Sequence, residues 1–279
     1  MALLPIHQFF SLNGEIKPNK DFIAAENEGG IYEVLRVIQG IPVFLQEHLE
    51  RFYHSAKLAG KDIPFNQQEI CSLLLELIKI NKVEMGNVLI SCKINLKAFF
   101  IPHVYPTQDQ YITGVECGLL QAERLNPNAK VFQTEVRTQA NTLMAAQGFY
   151  EVLLLDHEQK ITEGSRSNVF FITAKRQIVT PKADKVLLGI TRQKTIACAT
   201  ALNFSIEEAD VSLHDLDVFD AVFLTGTSPK ILPVNQIAEY CFNPADAMMR
   251  KLMLQYEKMI NNYLELAKRN HPSDPLSKG

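Results

Sequence analysis

Glu163, Gly164, Ser165 and Arg166 run through Ser167 and Asn168 into the apolar stretch Val169–Ile172. A carboxylate, a glycine and two serines thus stand where a turn is expected to enter a buried strand. Such a setting fixes an acid beneath a ligand instead of leaving it in water. Two other stretches have the composition of anion cradles: Leu188-Gly189-Ile190-Thr191-Arg192 and Thr225-Gly226-Thr227-Ser228-Pro229. The first opens a helix expected over Arg192–Leu202, whose free N–H groups and positive dipole end can receive a phosphate. In the second, a glycine permits a tight turn after a strand and two hydroxyls supply donors. Taken singly, each stretch has a plain reading: a polar hairpin turn, Thr191 as a helix N-cap, a strand-to-loop turn. Together they suit a phosphorylated, nitrogen-containing ring. Pyridoxal phosphate is such a ring, and it needs a lysine amine for its aldehyde, a carboxylate for its ring nitrogen, and N–H donors with a cation for its phosphate.

The chain resembles the class IV aminotransferases, the fold-type IV pyridoxal phosphate enzymes. They include D-amino acid aminotransferases, branched-chain aminotransferases and aminodeoxychorismate lyases. The resemblance runs, in the family's order, through Gly30–Val34, Glu47–Phe52, Glu163–Phe170, Leu188–Arg192 and Thr225–Val234. Its most specific segment is Glu-Gly-Ser-x-Ser-Asn-x-Phe from Glu163. The resemblance implies a phosphate-binding arginine at Arg51 and, at Glu163, the acid facing the pyridine nitrogen. It implies phosphate donors at Ile190, Thr191, Thr227 and Ser228, a leucine on the ring face near Leu187, and a pocket-lining aromatic at Tyr32. Considered alone, Arg51 reads as a surface ion-pairing arginine and Tyr32 as a core tyrosine.

For the Schiff-base lysine, two alignments compete. Matching a downstream asparagine puts Arg137 at that position, through Arg137-Thr-Gln-Ala-Asn141. Arginine stays charged and cannot react, so that alignment implies a non-catalytic ligand-binding homologue. Spacing favours Lys130, which lies 33 residues before Glu163 and 20 before Tyr150, follows the Asn126–Ala129 turn and precedes a helix. The catalytic residues are therefore expected to be Lys130 and Glu163. The implied reaction moves an amino group between a small branched-chain or D-amino acid and a 2-oxo acid, with a lyase of the aminodeoxychorismate type as the alternative. Arg36, Lys97, His103 and Arg166 are all available to hold a substrate carboxylate. A homodimer is implied as well, and no metal ligand set is expected.

These residues need elements to position them. Gly30–Leu45 reads as two strands joined at Gln39-Gly40. Gln46–Ala59 and Gln67–Ile80 have helical spacing, with Gly60 ending the first. Strands are expected at Val88–Ile94, Phe99–Val104, Gly114–Gln121, Glu151–Leu155, Asn168–Ile172 and Ala221–Leu224. Further helices are expected at Thr134–Gln147 and from Pro244, with a frayed polar tail after Asn270. The proline-bearing Tyr105–Gln110 is the candidate linker. Strands and helices without regular alternation predict an α/β (α+β) chain in two lobes: a smaller N-terminal α/β lobe over 1–110 and a larger C-terminal cofactor-binding lobe over 111–279.

At 279 residues and 47% hydrophobic, the chain can bury a substantial core. Its 28 basic and 31 acidic residues are balanced and scattered, which gives no footprint for nucleic acid. Five cysteines without a Cys-x-x-Cys pair read as reduced residues of a cytoplasmic protein. No signal peptide and no run long enough to span a membrane is recognised.

Overall fold

The computed structural model describes residues 3–24 and 29–270. The expected tail beyond Asn270 lies outside them. Among the described residues, one sheet has six strands: β1 (Phe9–Leu12), β2 (Glu15–Pro18), β3 (Ile31–Ile38), β4 (Ile41–Pro42), β5 (Met85–Cys92) and β6 (Leu96–Ile101). Their order is β2-β1-β6-β5-β3-β4 and every pairing is antiparallel. Two helices cover one face, α1 (Leu45–Leu58) and α2 (Gln67–Ile80). Side chains alternate across β3. Ile31, Leu35 and Val37 therefore enter the core under the helices, while Tyr32 joins a second cluster with Leu89 and Phe99. Glu33 shares the helix-facing side, a buried acid on an apolar stripe.

After α3 (Gln108–Thr113) comes a ten-stranded sheet. Its strands are β7 (Val115–Gln121), β8 (Glu151–Leu155), β9 (Lys160–Gly164), β10 (Asn168–Thr173), β11 (Ile178–Thr180), β12 (Ile206–Glu208), β13 (Val211–Ser212), β14 (Phe219–Gly226), β15 (Lys230–Ile237) and β16 (Tyr240–Cys241). The order is β12-β11-β10-β14-β15-β7-β8-β9-β13, with β16 on β15. Three pairings are parallel, β11 with β12, β15 with β7, and β7 with β8. Helix α4 (Thr134–Gln147) links β7 to β8. Both faces of this sheet are covered, which is why its strands read as continuous apolar runs. Phe170 and Ile172 face α5 (Ile190–Ala201) and α6 (Ala247–Asn270), while Val169 and Phe171 join the core on the other side. The Phe170 and Phe223 rings stack at 5.0 Å across the β10–β14 pair.

Three expectations are corrected. Glu163 and Gly164 end strand β9; the turn begins at Ser165. The strands expected at Val88–Ile94 and Phe99–Val104 each start and stop about three residues earlier, because residues 93–95 form the bend between them. Helix α6 begins at Ala247, not Pro244. Its cap is Asp246, whose Oδ1 accepts from the N–H groups of Met248 at 2.9 Å and Met249 at 3.0 Å.

Candidate active site

Glu163 is 3% exposed at the end of β9. Its Oε2 accepts from the Leu187 N–H at 3.1 Å and from Asn168 Nδ2 at 3.4 Å. Its Oε1 lies 2.9 Å from Arg124 Nε, yet the N–H does not point at it and neither atom makes a hydrogen bond. Arg124 donates instead from Nη2 to the Ser165 carbonyl at 2.5 Å. Burial pushes the Glu163 carboxyl above its ordinary pKa, while Arg124, the Leu187 N–H and Lys130 pull the other way. Burial of an acid that retains a hydrogen-bond-free oxygen is costly unless a donor completes it.

The two serines of the motif serve a different acid. Glu151, at the start of β8, accepts from Ser165 Oγ at 2.6 Å, Ser167 Oγ at 2.9 Å, Arg166 N at 3.2 Å and Val152 N at 2.9 Å. That buried carboxylate ties the 165–167 turn to β8 and so sets where β9 ends. Gly164 is required here, because a Cβ would sit 2.2 Å from Ser167 Oγ. Neither Arg124 nor Glu151 is picked out in the sequence. Their signals were positional: a cation just past the end of β7, and an acid opening an apolar run.

Lys130, in the segment between β7 and α4, lies against the other sheet. Its N–H donates to Ser55 Oγ of α1 at 3.0 Å, its carbonyl accepts from Tyr32 N–H at 3.0 Å, and Val131 bridges Ile31. Residues 130–132 thus run along β3, and α4 starts two residues later. The Lys130 Nζ lies 4.7 Å from the Tyr32 ring centroid, and Phe132 stacks on that ring at 4.0 Å. Burial lowers the Lys130 pKa, and the neighbouring charges of Arg51 and Arg124 lower it further against the pull of Tyr32 and Glu33. Burial alone would raise the Tyr32 phenol, but Lys130, Arg137 and Arg124 bring it down to about 8. Arg137 stands on α4, within the same field.

Arg51 is buried, not a surface residue. Its Nε and Nη2 grip Glu33 at 2.6 and 2.8 Å, and Nη1 donates to the Leu188 carbonyl at 3.1 Å. Three of a guanidinium's five donors are engaged, and two remain. His48 adds its Nδ1 to Glu33 at 2.9 Å. Burial would raise the Glu33 carboxyl, but Arg51 and His48 hold it well below the carboxylate range. The Leu188 contact ties α1 to the first cradle. There Gly189 caps α5, and Ile190 and Thr191 are its buried first residues; Thr191 is not the cap. A Cβ on Gly189 would lie 2.2 Å from Asn168 Oδ1. Arg192 turns away to Glu208 at 3.1 Å and to the Pro181 carbonyl.

The second cradle is the turn between β14 and β15. Thr227 Oγ1 donates to the Val34 carbonyl at 3.4 Å, and Ser228 Oγ accepts from Asn87 Nδ2 at 2.8 Å. Thr191 and Thr227, far apart in sequence, line one pocket with Arg36, His48 and Tyr256. Leu187 is held by its backbone, the N–H on Glu163 and the carbonyl on Asn168 Nδ2 at 2.8 Å.

These residues fit pyridoxal phosphate. The orphaned Glu163 Oε1 is where a protonated ring nitrogen would donate, and the start of α5 offers N–H groups that no side chain caps. Lys130 is a half-buried amine with a lowered pKa beside an aromatic wall.

Similarity searches agree with this chemistry. A candidate branched-chain-amino-acid aminotransferase of Methanocaldococcus jannaschii is 27% identical over 249 residues, 81% of this chain and 86% of that protein. A D-alanine aminotransferase of Bacillus licheniformis is 28% identical over 75% of this chain and 78% of its own length. The crystal structure of a candidate branched-chain amino acid aminotransferase from Thermotoga maritima superposes with a TM-score of 0.80 at 25% identity, covering 91% of this chain and 96% of that one. The sequence pattern of amino-transferase class IV matches residues 30–237, three-quarters of the chain, and that match spans Tyr32, Arg51, Lys130, Glu163 and both cradles. The chain therefore belongs to the class IV aminotransferases.

Proposed function

We propose that this protein is a pyridoxal phosphate-dependent aminotransferase that moves an amino group between a small amino acid, branched-chain or D-, and a 2-oxo acid. The observation that best supports it is the pairing of a half-buried, cation-flanked Lys130 amine with a buried Glu163 whose Oε1 lacks a donor. Bound cofactor supplies an aldehyde that takes up the substrate nitrogen and a ring that draws off electrons when the α-carbon loses its proton. Lys130 carries that proton. Its depressed pKa leaves a larger share of free amine near neutral pH, as a general base requires. Glu163, whose ionised form Arg124 favours against burial, would hold the proton on the ring nitrogen. Arg51, Ile190, Thr191, Thr227 and Ser228 would hold the phosphate, and Leu187 would pack on the ring. Tyr32 walls the pocket beside Lys130.

We take the two sheets as the two lobes, joined near residue 110, and the working unit as a cytoplasmic homodimer. Supports for the latter are the family's habit and the unpaired cysteines. Sedimentation of a fully active monomer at micromolar concentration contradicts the dimer. Mixing the loaded enzyme with an amino acid, then a different 2-oxo acid, should return the oxo and amino partners in equal amounts. Pyruvate released from a chorismate-derived amine without any acceptor indicates a lyase instead.

A further inference from the structure

The substrate nitrogen must reach Lys130, so the substrate carboxylate, one carbon further on, needs a cation beside Lys130 and Tyr32. Three of the cations available in the sequence are committed elsewhere. Arg36 donates to the Ser228 carbonyl at 2.9 Å and lies over the Tyr105 ring at 3.8 Å. Lys97 donates to the Ile23 carbonyl at 3.0 Å. His103 sits against Tyr105, with its Nδ1 at the Ile101 carbonyl.

Arg166 is placed differently. It stands in the turn two residues after the end of Glu163's strand, with its N–H anchored on Glu151. Its Nη2 donates to Asn141 Oδ1 on α4, a neutral partner that orients the guanidinium without cancelling its charge. Arg137 precedes Asn141 by four residues, on the same face of α4. The Glu151 carboxylate nearby is filled by two serine hydroxyls and two backbone N–H groups, not by either guanidinium. The Arg137 charge bears on both Arg166 and Tyr32. Two like charges held together in this way are relieved by an anion, and a planar carboxylate matches the guanidinium fork.

We propose that Arg137 and Arg166 receive the carboxylate of the amino-acid and oxo-acid substrates. This rests on the aminotransferase reading and assigns its specificity-determining cations. The test is calorimetric titration of the cofactor-loaded protein with 4-methylpentanoate, glutarate and 4-methylpentanamide, none of which can react. The parent should bind the carboxylates and discriminate against the amide. Arg166→Gln and Arg137→Gln should each weaken carboxylate binding about tenfold or more, the scale of a lost charge-assisted hydrogen bond, and leave amide binding unchanged. Arg166→Lys should recover part of the loss, which separates charge from folding. A loss for 4-methylpentanoate identifies the α-carboxylate as the bound group and supports the proposal; a loss confined to glutarate places the two arginines on a distal carboxylate and overturns it. Unchanged carboxylate binding in both Gln variants overturns it. If the parent binds the carboxylates but turns over no amino acid, the aminotransferase reading fails while the carboxylate site stands.

Discussion

Arg124 Nε stands 2.9 Å from Glu163 Oε1, the acid buried and the guanidinium half-buried, yet the two are not joined by a hydrogen bond. The guanidinium supplies charge to the acid and leaves the oxygen's lone pairs open. A ring nitrogen arriving there would meet an oxygen with no other donor. Arg124 thus opposes the burial that raises the pKa of this acid.

Removing the acid's charge should disable the electron sink without emptying the site. Glu163→Gln keeps the shape, so cofactor should still bind, while turnover falls on the order of a hundredfold. Arg124→Leu should act through the same acid. The Glu163 carboxyl, already raised, rises further, so the acid limb of the kcat/KM profile should move to higher pH. An unmoved limb would mean that Arg124 does not tune Glu163.

Glu33 carries the opposite shift. Its carboxyl is depressed by Arg51 and His48, so its ion pair stabilises the fold above the ordinary value of 4.5, and that contribution is lost as pH falls below it. Glu33→Gln leaves a buried guanidinium unpaired and should cost about 3–5 kcal/mol. Urea unfolding at neutral pH and near pH 4 checks both statements. The gap between parent and variant should narrow in acid.

The Tyr32 phenol should titrate near 8 in cofactor-free protein. Ultraviolet difference spectra should show one tyrosine ionising about two units below the ordinary phenol value of 10, absent in Tyr32→Phe. If instead every tyrosine titrates near or above 10, the three cations are not gathered around that ring.

Much of this fold is legible in the sequence because α1, α2 and α6 each carry one apolar stripe. The bounds expected for α2 and α4 coincide with those observed, the former fixed by a capping box of Asn66 and Glu69. Other parts of the fold break a local rule. Strand β15 carries Pro233 in its interior, opposite Phe223, and proline argues against a central strand. Strand β9 is only partly apolar because it delivers Glu163. The hairpin of β1 and β2 had a signal that went unused, Asn13-Gly14, both with positive φ. Within the site, motif residues could be anticipated, but Arg124 and Glu151 could not. Their importance comes from which strands lie side by side, and that is decided by the sheet order.

The central claim is that Lys130 is the amine that meets the cofactor. Borohydride reduction of the loaded protein, followed by digestion and mass spectrometry, should place the reduced cofactor on the peptide bearing Lys130. The cofactor absorbance should be lost in the same step, and Lys130→Ala should carry no label. A label on another lysine, or none despite bound cofactor, would contradict the account.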